Sequence, residues 1–368
     1  MRKRLLCMLL CGTVVLGMCL SGCSGKKKED PKETVKKTVL ASLKLKAEDF
    51  TELLEDGIAE TDANNGFALS LPGEAKEEYL YFLSTAYSKV KMEISSIDEK
   101  EDGYIVRVGF DPLNVALSLQ GTEDAYMESM TSTDQVQAIS GLLTQGKKAL
   151  KEDAVYDDRA VVDFTVKKKE SSYTVSKEDV QKVKEAALTE YMQPYELVNG
   201  VLDIQDYITA YLDAAFKGEF EEFMIHTGMT QEEAQEWYEG GGIFDAPEDM
   251  SEAYRDRFAA ACKGILKQCK YSVGVPQKQP GKLVEYAVDV TVTPNLGFMN
   301  AWEEFQNGAY PDIDSASAAF VEAMEKYAAA SAFDEEEVVG VELNMASFVS
   351  EKRSDVDMLI EEICPLPH

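Results

Sequence analysis

The sequence predicts an α+β protein built as two tandem repeats, each an N-terminal helical layer packed on one face of a curved antiparallel sheet. Three observations predict it. Strand-like segments alternate apolar with polar or small residues at period two, so each has one buried and one wetter face. Parallel strands covered on both faces would read as continuous apolar runs instead. The same order of helices and strands also occurs twice along 368 residues, more than one core usually holds.

The elements justify this in order. Glu33 to Leu45 and Ile204 to Phe216 read as opening helices, followed by Lys46-Ala-Glu-Asp-Phe50 and Lys217-Gly-Glu-Phe220. Next come helices with core-facing stripes: Tyr79, Phe82, Leu83, Ala86 and Val90 in one copy, Tyr254 to Cys269 in the other. Short strands are expected near Val90–Ile97 and Tyr271–Val275. The clearest match sets Tyr104-Ile-Val-Arg-Val-Gly-Phe-Asp-Pro112 against Tyr286-Ala-Val-Asp-Val-Thr-Val-Thr-Pro294, a shift of 182 residues. A second sets Val162, Phe164 and Val166 against Val339, Val341 and Leu343, a shift of 177. Proline ends the first matched strand in each copy because it cannot donate to the ladder. Helical sequence lies between the matched strands at Glu123 to Asp153 and Met299 to Ser331. Short helices, Lys177 to Glu190 and Ser354 to Cys364, close the copies. The expected division is therefore 32–192 and 204–368, joined by a short linker at 193–203 containing Pro194, Asn199 and Gly200.

Residues 1–22 have the layout of a secretory signal peptide. Arg2, Lys3 and Arg4 precede an uncharged run to Leu20, and Ser21 and Gly22 are small. That run is short for a spanning helix, which needs about 20 residues. The sequence Leu20-Ser21-Gly22-Cys23 resembles the lipobox of bacterial lipoproteins. The resemblance implies cleavage between Gly22 and Cys23, lipidation of Cys23, and a tether over 23–31. Each buried methylene of an acyl chain adds about 0.8 kcal/mol to anchoring, and Lys26, Lys27 and Lys28 would face anionic headgroups. The expected location is the extracytoplasmic side of the cell membrane, with the lipid anchor as the membrane partner.

Composition sets limits on partners. With 37 basic and 67 acidic residues the net charge is −30, which disfavours nucleic acid, since phosphates demand neutralising Lys and Arg. Of seven cysteines, Cys7, Cys11 and Cys19 leave with the leader and Cys23 takes lipid. Cys262, Cys269 and Cys364 remain, an odd count that argues against a disulfide framework. Cys262 and Cys269 stand about 10.5 Å apart along a helix, too far to bridge within it. They fall on the stripe Tyr254, Phe258, Cys262, Ile265, Cys269, where buried free thiols are expected; pairing of Cys364 with either stays open.

A helical layer leading into a curved antiparallel sheet and a closing short helix resembles the nuclear-transport-factor-2-like (cystatin-like) superfamily. With the lipobox and the Lys217-Gly218-Glu219-Phe220 phrase, the chain more narrowly resembles lipoproteins of Gram-positive bacteria that carry one or two such domains. That superfamily contains enzymes, ligand binders and interaction modules, so the fold does not fix the function.

No catalytic, cofactor or metal set is legible. The histidines are His226 and His368 alone, and His226 in Phe223-Met-Ile-His226-Thr-Gly228 suits a helix end, where a cation complements the dipole. Two distant histidines exclude the usual His-based metal sets. Asp62-Ala-Asn64-Asn65-Gly66 places glycine at the fifth loop position and Gly73 at the twelfth, so it reads as a polar turn and not a calcium loop. Asp334-Glu335-Glu336-Glu337 reads as a solvated lead-in to a strand, Thr230 to Glu233 as a capping box, and Gly240-Gly241-Gly242 as a turn. Tyr79, Tyr81, Tyr87, Trp237, Tyr238 and Trp302 either belong to the core or line a cavity beneath the sheet. The sequence therefore points to a non-enzymatic binding or interaction module with an envelope protein or small ligand as partner. The alternatives are a binder of a small molecule or peptide in an internal cavity, then a hydratase- or isomerase-type enzyme.

Overall fold

The structure, a computed structural model, describes residues 30–63, 71–132, 134–170, 172–279, 285–344 and 354–367. The leader 1–22, the Gly22–Cys23 junction, all of the tether but its last two residues, and Asn64–Gly66 of the polar turn lie outside the described residues. The fold mixes helices with antiparallel sheets, and the chain separates into two compact units. Unit 1 comprises residues up to Glu60, Leu71–Glu123 and Ile139–Glu196; unit 2 includes Asp124–Ala138 and everything from Leu197.

In unit 1, α1 (Pro31–Ser42) starts where Asp30 accepts from the Lys32 amide, with proline in the first turn. A 3-10 turn at Ala47–Phe50 leads to α2 (Thr51–Asp62), then α3 (Gly73–Tyr87). The main sheet has the order β1-β2-β5-β6, from β1 (Glu93–Lys100), β2 (Gly103–Phe110), β5 (Ala160–Lys169) and β6 (Ser172–Val175), all pairs antiparallel. Between β2 and β5 lie β3 (Leu113–Asn114), α4 (Val115–Leu119), α5 (Thr122–Ser129), α6 (Gln135–Glu152) and β4 (Val155–Tyr156). After β6 come α7 (Lys177–Ala187) and β7 (Leu188–Thr189); β7 pairs with β3 in parallel, a two-residue exception. Tyr104, Val106, Val108, Phe164 and Val166 face the core, Val162 is half-buried, and Arg107 and Thr165 face out.

Unit 2 opens with α8 (Gln193–Lys217), α9 (Glu221–Thr227), α10 (Gln231–Glu239) and α11 (Arg255–Leu266). The expected linker 193–203 is thus helical. Pro194 sits in the first turn, where a missing N–H costs nothing, and Val198, Val201 and Leu202 are buried. Strands β8 (Lys270–Val273), β9 (Gln277–Lys278), β10 (Glu285–Thr293) and β11 (Glu337–Asn344) form a sheet with β10 at its centre, antiparallel throughout. Between β10 and β11 stand α12 (Gly297–Gln306) and α13 (Ile313–Ala329); α14 (Ser354–Ile363) follows β11. The segment Asp124–Ala138 joins this unit through β9: Lys278 Nζ lies 2.8 Å from Asp124, and Gln277 donates to the Met130 carbonyl.

The central pairs of the two sheets share one register. Tyr104 faces Val166, Val106 faces Phe164, and Val108 faces Val162. With the two sequence shifts applied, Tyr286 faces Leu343, Val288 faces Val341, and Val290 faces Val339. Beyond the strands the match continues. The Pro112 carbonyl accepts from the Asp157 amide, and the Pro294 carbonyl from that of Asp334. Leu113 pairs with Tyr156 as Asn295 does with Phe333. Each match joins residues separated by 182 on one side and 177 on the other.

Candidate functional site

Clefts among the described residues include three with distinct linings, and the first lies in unit 1. After α1 ends, Lys44 and Leu45 carry the chain into the 3-10 turn, whose Asp49 carboxylate accepts from the Lys46 amide at 2.8 Å. The other wall is β6 and α7, the latter capped by Ser176. On α7, Lys177, Val180, Gln181 and Lys184 follow the spacing of a single helix face, and all four line a cavity of about 420 Å³. Lys184 is only 5% exposed. Its ammonium donates to the Asp49 carbonyl at 2.8 Å, and of its three N–H donors that is the one with a partner among the described residues. Lys44 and Lys177 complete a set of three cations against one carboxylate. Ala41, Leu45, Tyr173, Val175 and Val180 give the cleft an apolar wall.

The second cleft, about 460 Å³ in unit 2, has the opposite character. Asp206, Asp213, Glu219, Glu221 and Glu222 line it. Asp213 is held by Lys217 at 2.5 Å and by the Tyr271 hydroxyl at 2.6 Å. Burial and that hydrogen bond push the Tyr271 phenol well above its ordinary range. Asp206 meets His226 Nε2 at 2.8 Å, and His226 Nδ1 lies 3.6 Å from Asp203. His226 occupies the last turn of α9, which Gly228 closes at φ +69°; it packs edge-on against Tyr207. It thus stands at a helix end as its sequence context indicates, and the two aspartates on α8 are partners that sequence reading missed. Their spacing of three was the available signal. No group of three or more His, Cys, Asp or Glu suited to a metal ion occurs among the described residues.

The third cleft, about 200 Å³, is aromatic: Trp302, Phe305 and Phe320 line it with Met250 and Ile313. Trp302 is the only one of the six singled-out aromatics to line any of these clefts. Tyr79, Tyr87 and Tyr238 are buried, with Tyr79 donating to the Tyr191 carbonyl and Tyr87 to that of Leu43. Trp237 packs on Phe223 at 4.7 Å, and Tyr81 is exposed. Thr230 and Glu233 form the capping box, Gly240–Gly242 a turn, and Asp334–Glu336 an exposed approach to β11.

Cys262, Cys269 and Cys364 are free and buried. Burial pushes the Cys262 thiol up to about 12. Gly22 and Cys23 cannot be placed, lying outside the described residues. No helix among the described residues is long and apolar enough to cross a membrane. No known protein family, no curated protein and no solved structure matches the chain.

Proposed function

We propose that the chain is an exported lipoprotein anchored through Cys23, whose body consists of two tandem nuclear-transport-factor-2-like domains and works as a non-enzymatic binding module at the membrane surface. The lipobox supports the anchor, and the shared strand register supports the duplication. One observation carries the binding role: a cleft with three lysines and an apolar wall in a chain of net charge −30. An ammonium as enclosed as Lys184 is costly without acceptors, and its free donors suit the oxygens of a phosphate or carboxylate. The ligand class is an anionic group with an apolar flank.

Calorimetric titration of hexyl phosphate, with inorganic phosphate as control, tests the site. Hexyl phosphate should bind the mature chain more tightly, and joint Lys44→Glu and Lys177→Glu replacement should weaken it at least tenfold. Absence of binding, or binding indifferent to those lysines, overturns the assignment. The anchor is tested separately: Cys23→Ala should release the protein from membranes and abolish acyl labelling, whereas an integral variant overturns lipidation.

A further inference from the structure

The three thiols of unit 2 are unequal partners. Cys262 lies inside α11, whereas Cys269 follows its last turn and Cys364 follows α14. A single residue organises the latter two. Asn295 is fully buried after β10; its side-chain amide donates to the Ile265 carbonyl and approaches Cys269 Sγ at 3.8 Å. Its backbone carbonyl accepts from Cys364 Sγ at 3.8 Å, and its backbone amide donates to the Ile363 carbonyl. Cys269 on the other side of this asparagine, together with burial, raises the Cys364 thiol far above the ordinary range. The end of α14 and the α11–β8 corner are thus clamped onto one asparagine, with each sulfur 3.8 Å from one of its polar atoms.

We infer that Cys269 and Cys364 are the site of an intrachain disulfide, formed by exchange with a low-molecular-weight disulfide, while Cys262 stays a thiol. In the first step the Cys269 thiolate, having released its proton, attacks one sulfur of the oxidant and displaces the other as a thiolate. The Cys364 thiolate then attacks Cys269 Sγ in the mixed disulfide, forms the Cys269–Cys364 bond and releases the second small thiolate. Two protein thiols lose two protons and two electrons, and the oxidant leaves as two thiols. The bond would close a loop of about 95 residues and fix the closing helix of unit 2 to its sheet corner, a ring large enough to restrict the unfolded chain substantially. Asn295 positions the pair and takes no part in the exchange.

The test is equilibration of the folded full chain with oxidised glutathione, an alkylating quench in denaturant, and peptide mapping by mass spectrometry. The expected map joins the Cys269 and Cys364 peptides, leaves Cys262 alkylated, and accompanies a rise of several degrees in Tm. Cys262→Ala should keep the crosslink; Cys269→Ala should abolish it without transferring it to Cys262. A map with all three cysteines alkylated, with glutathione retained on Cys364, or with Cys262 in the crosslink overturns the inference.

Discussion

The two sheets agree where they face their cores and differ where they face solvent. Val106–Phe164 and Val288–Val341 are equivalent inward pairs, and all four residues are buried. On the outward faces, Arg107 makes a two-pronged contact with Asp163 across the strands, while the equivalent Asp289 stands opposite Gly340. One outward position is shared: Val161 and Val338 are exposed at the same register point. The clefts diverge as well, lysine-lined in unit 1 and carboxylate-lined in unit 2. Physics explains the asymmetry of constraint. Slipping a strand by one residue turns every inward apolar side chain to water, so register and inward face are held together. Outward residues carry no such penalty and are where binding differences can develop.

The largest effects should come from the shared inward pairs. Phe164→Ala is expected to cost about 3–5 kcal/mol and Val341→Ala about 2 kcal/mol, since both leave cavities in closed cores. Both tryptophans, Trp237 and Trp302, belong to unit 2, so fluorescence follows that unit while far-UV circular dichroism follows both. In urea, Phe164→Ala should move the dichroism transition and leave the fluorescence midpoint in place. Coincident movement of both signals would break the comparison, because the units would then unfold as one cooperative block.

Gly103 gives the next effect. It enters β2 at φ +154°, and an added Cβ would lie 2.0 Å from the Val166 carbonyl oxygen. Gly103→Ala should therefore cost about 2 kcal/mol or more. The residue 182 positions later is Glu285, which already carries a Cβ in its strand pairing with Asn344, so alanine there should cost less than at Gly103. Equal losses at the two positions, read from denaturation midpoints, would show that the turn and not the carbonyl approach sets the cost.

Much of this architecture was legible beforehand because strand alternation and proline stops are local signals. The two shifts of 182 and 177 are read from separate strands, yet they prove to be facing partners. The helical linker is not legible because Pro194 reads as a breaker but falls in a first turn, where it is tolerated, and the burial of Val198, Val201 and Leu202 outweighs the weak helix propensity of Asn199 and Gly200. The clefts were illegible for a different reason. Lys184 meets Asp49 across 135 positions of chain, and Cys364 meets the Asn295 carbonyl across 69. No periodicity encodes such meetings.

Asn295 should separate the units again, at intermediate cost. Asn295→Ala leaves the Gly297 amide without its 2.9 Å acceptor and removes one of two donors to the Ile265 carbonyl, the other being the Gln268 amide, all inside unit 2. Buried groups left without partners cost about 1–3 kcal/mol, so the fluorescence midpoint should fall. In unit 1 the equivalent residue is Leu113, with no such polar knot, and Leu113→Ala should act by cavity formation alone. A fluorescence midpoint unmoved by Asn295→Ala would remove the knot from the comparison.

The smallest expected effect concerns the outward pair. Hydrogen bonds from Arg107, and then its charge, hold the Asp163 carboxyl below its ordinary range, and Asp163 in turn raises Arg107. A carboxyl lowered on folding contributes stability that is fully present above its unfolded value, about 3.9, and is lost as pH falls through the folded value. Arginine stays charged throughout that window, so only Asp163 titrates. Wild type and Arg107→Ala should therefore differ slightly above about pH 4 and converge in stronger acid, with the gap shrinking in salt. Both side chains are about half exposed, so screening keeps the difference close to the precision of a melting curve. Asp289→Ala in unit 2, whose cross-strand neighbours are Gly340 and Gly274, should show no such convergence. If it does, the pH response belongs to the acidic chain as a whole and not to the one pair that distinguishes the first sheet from the second.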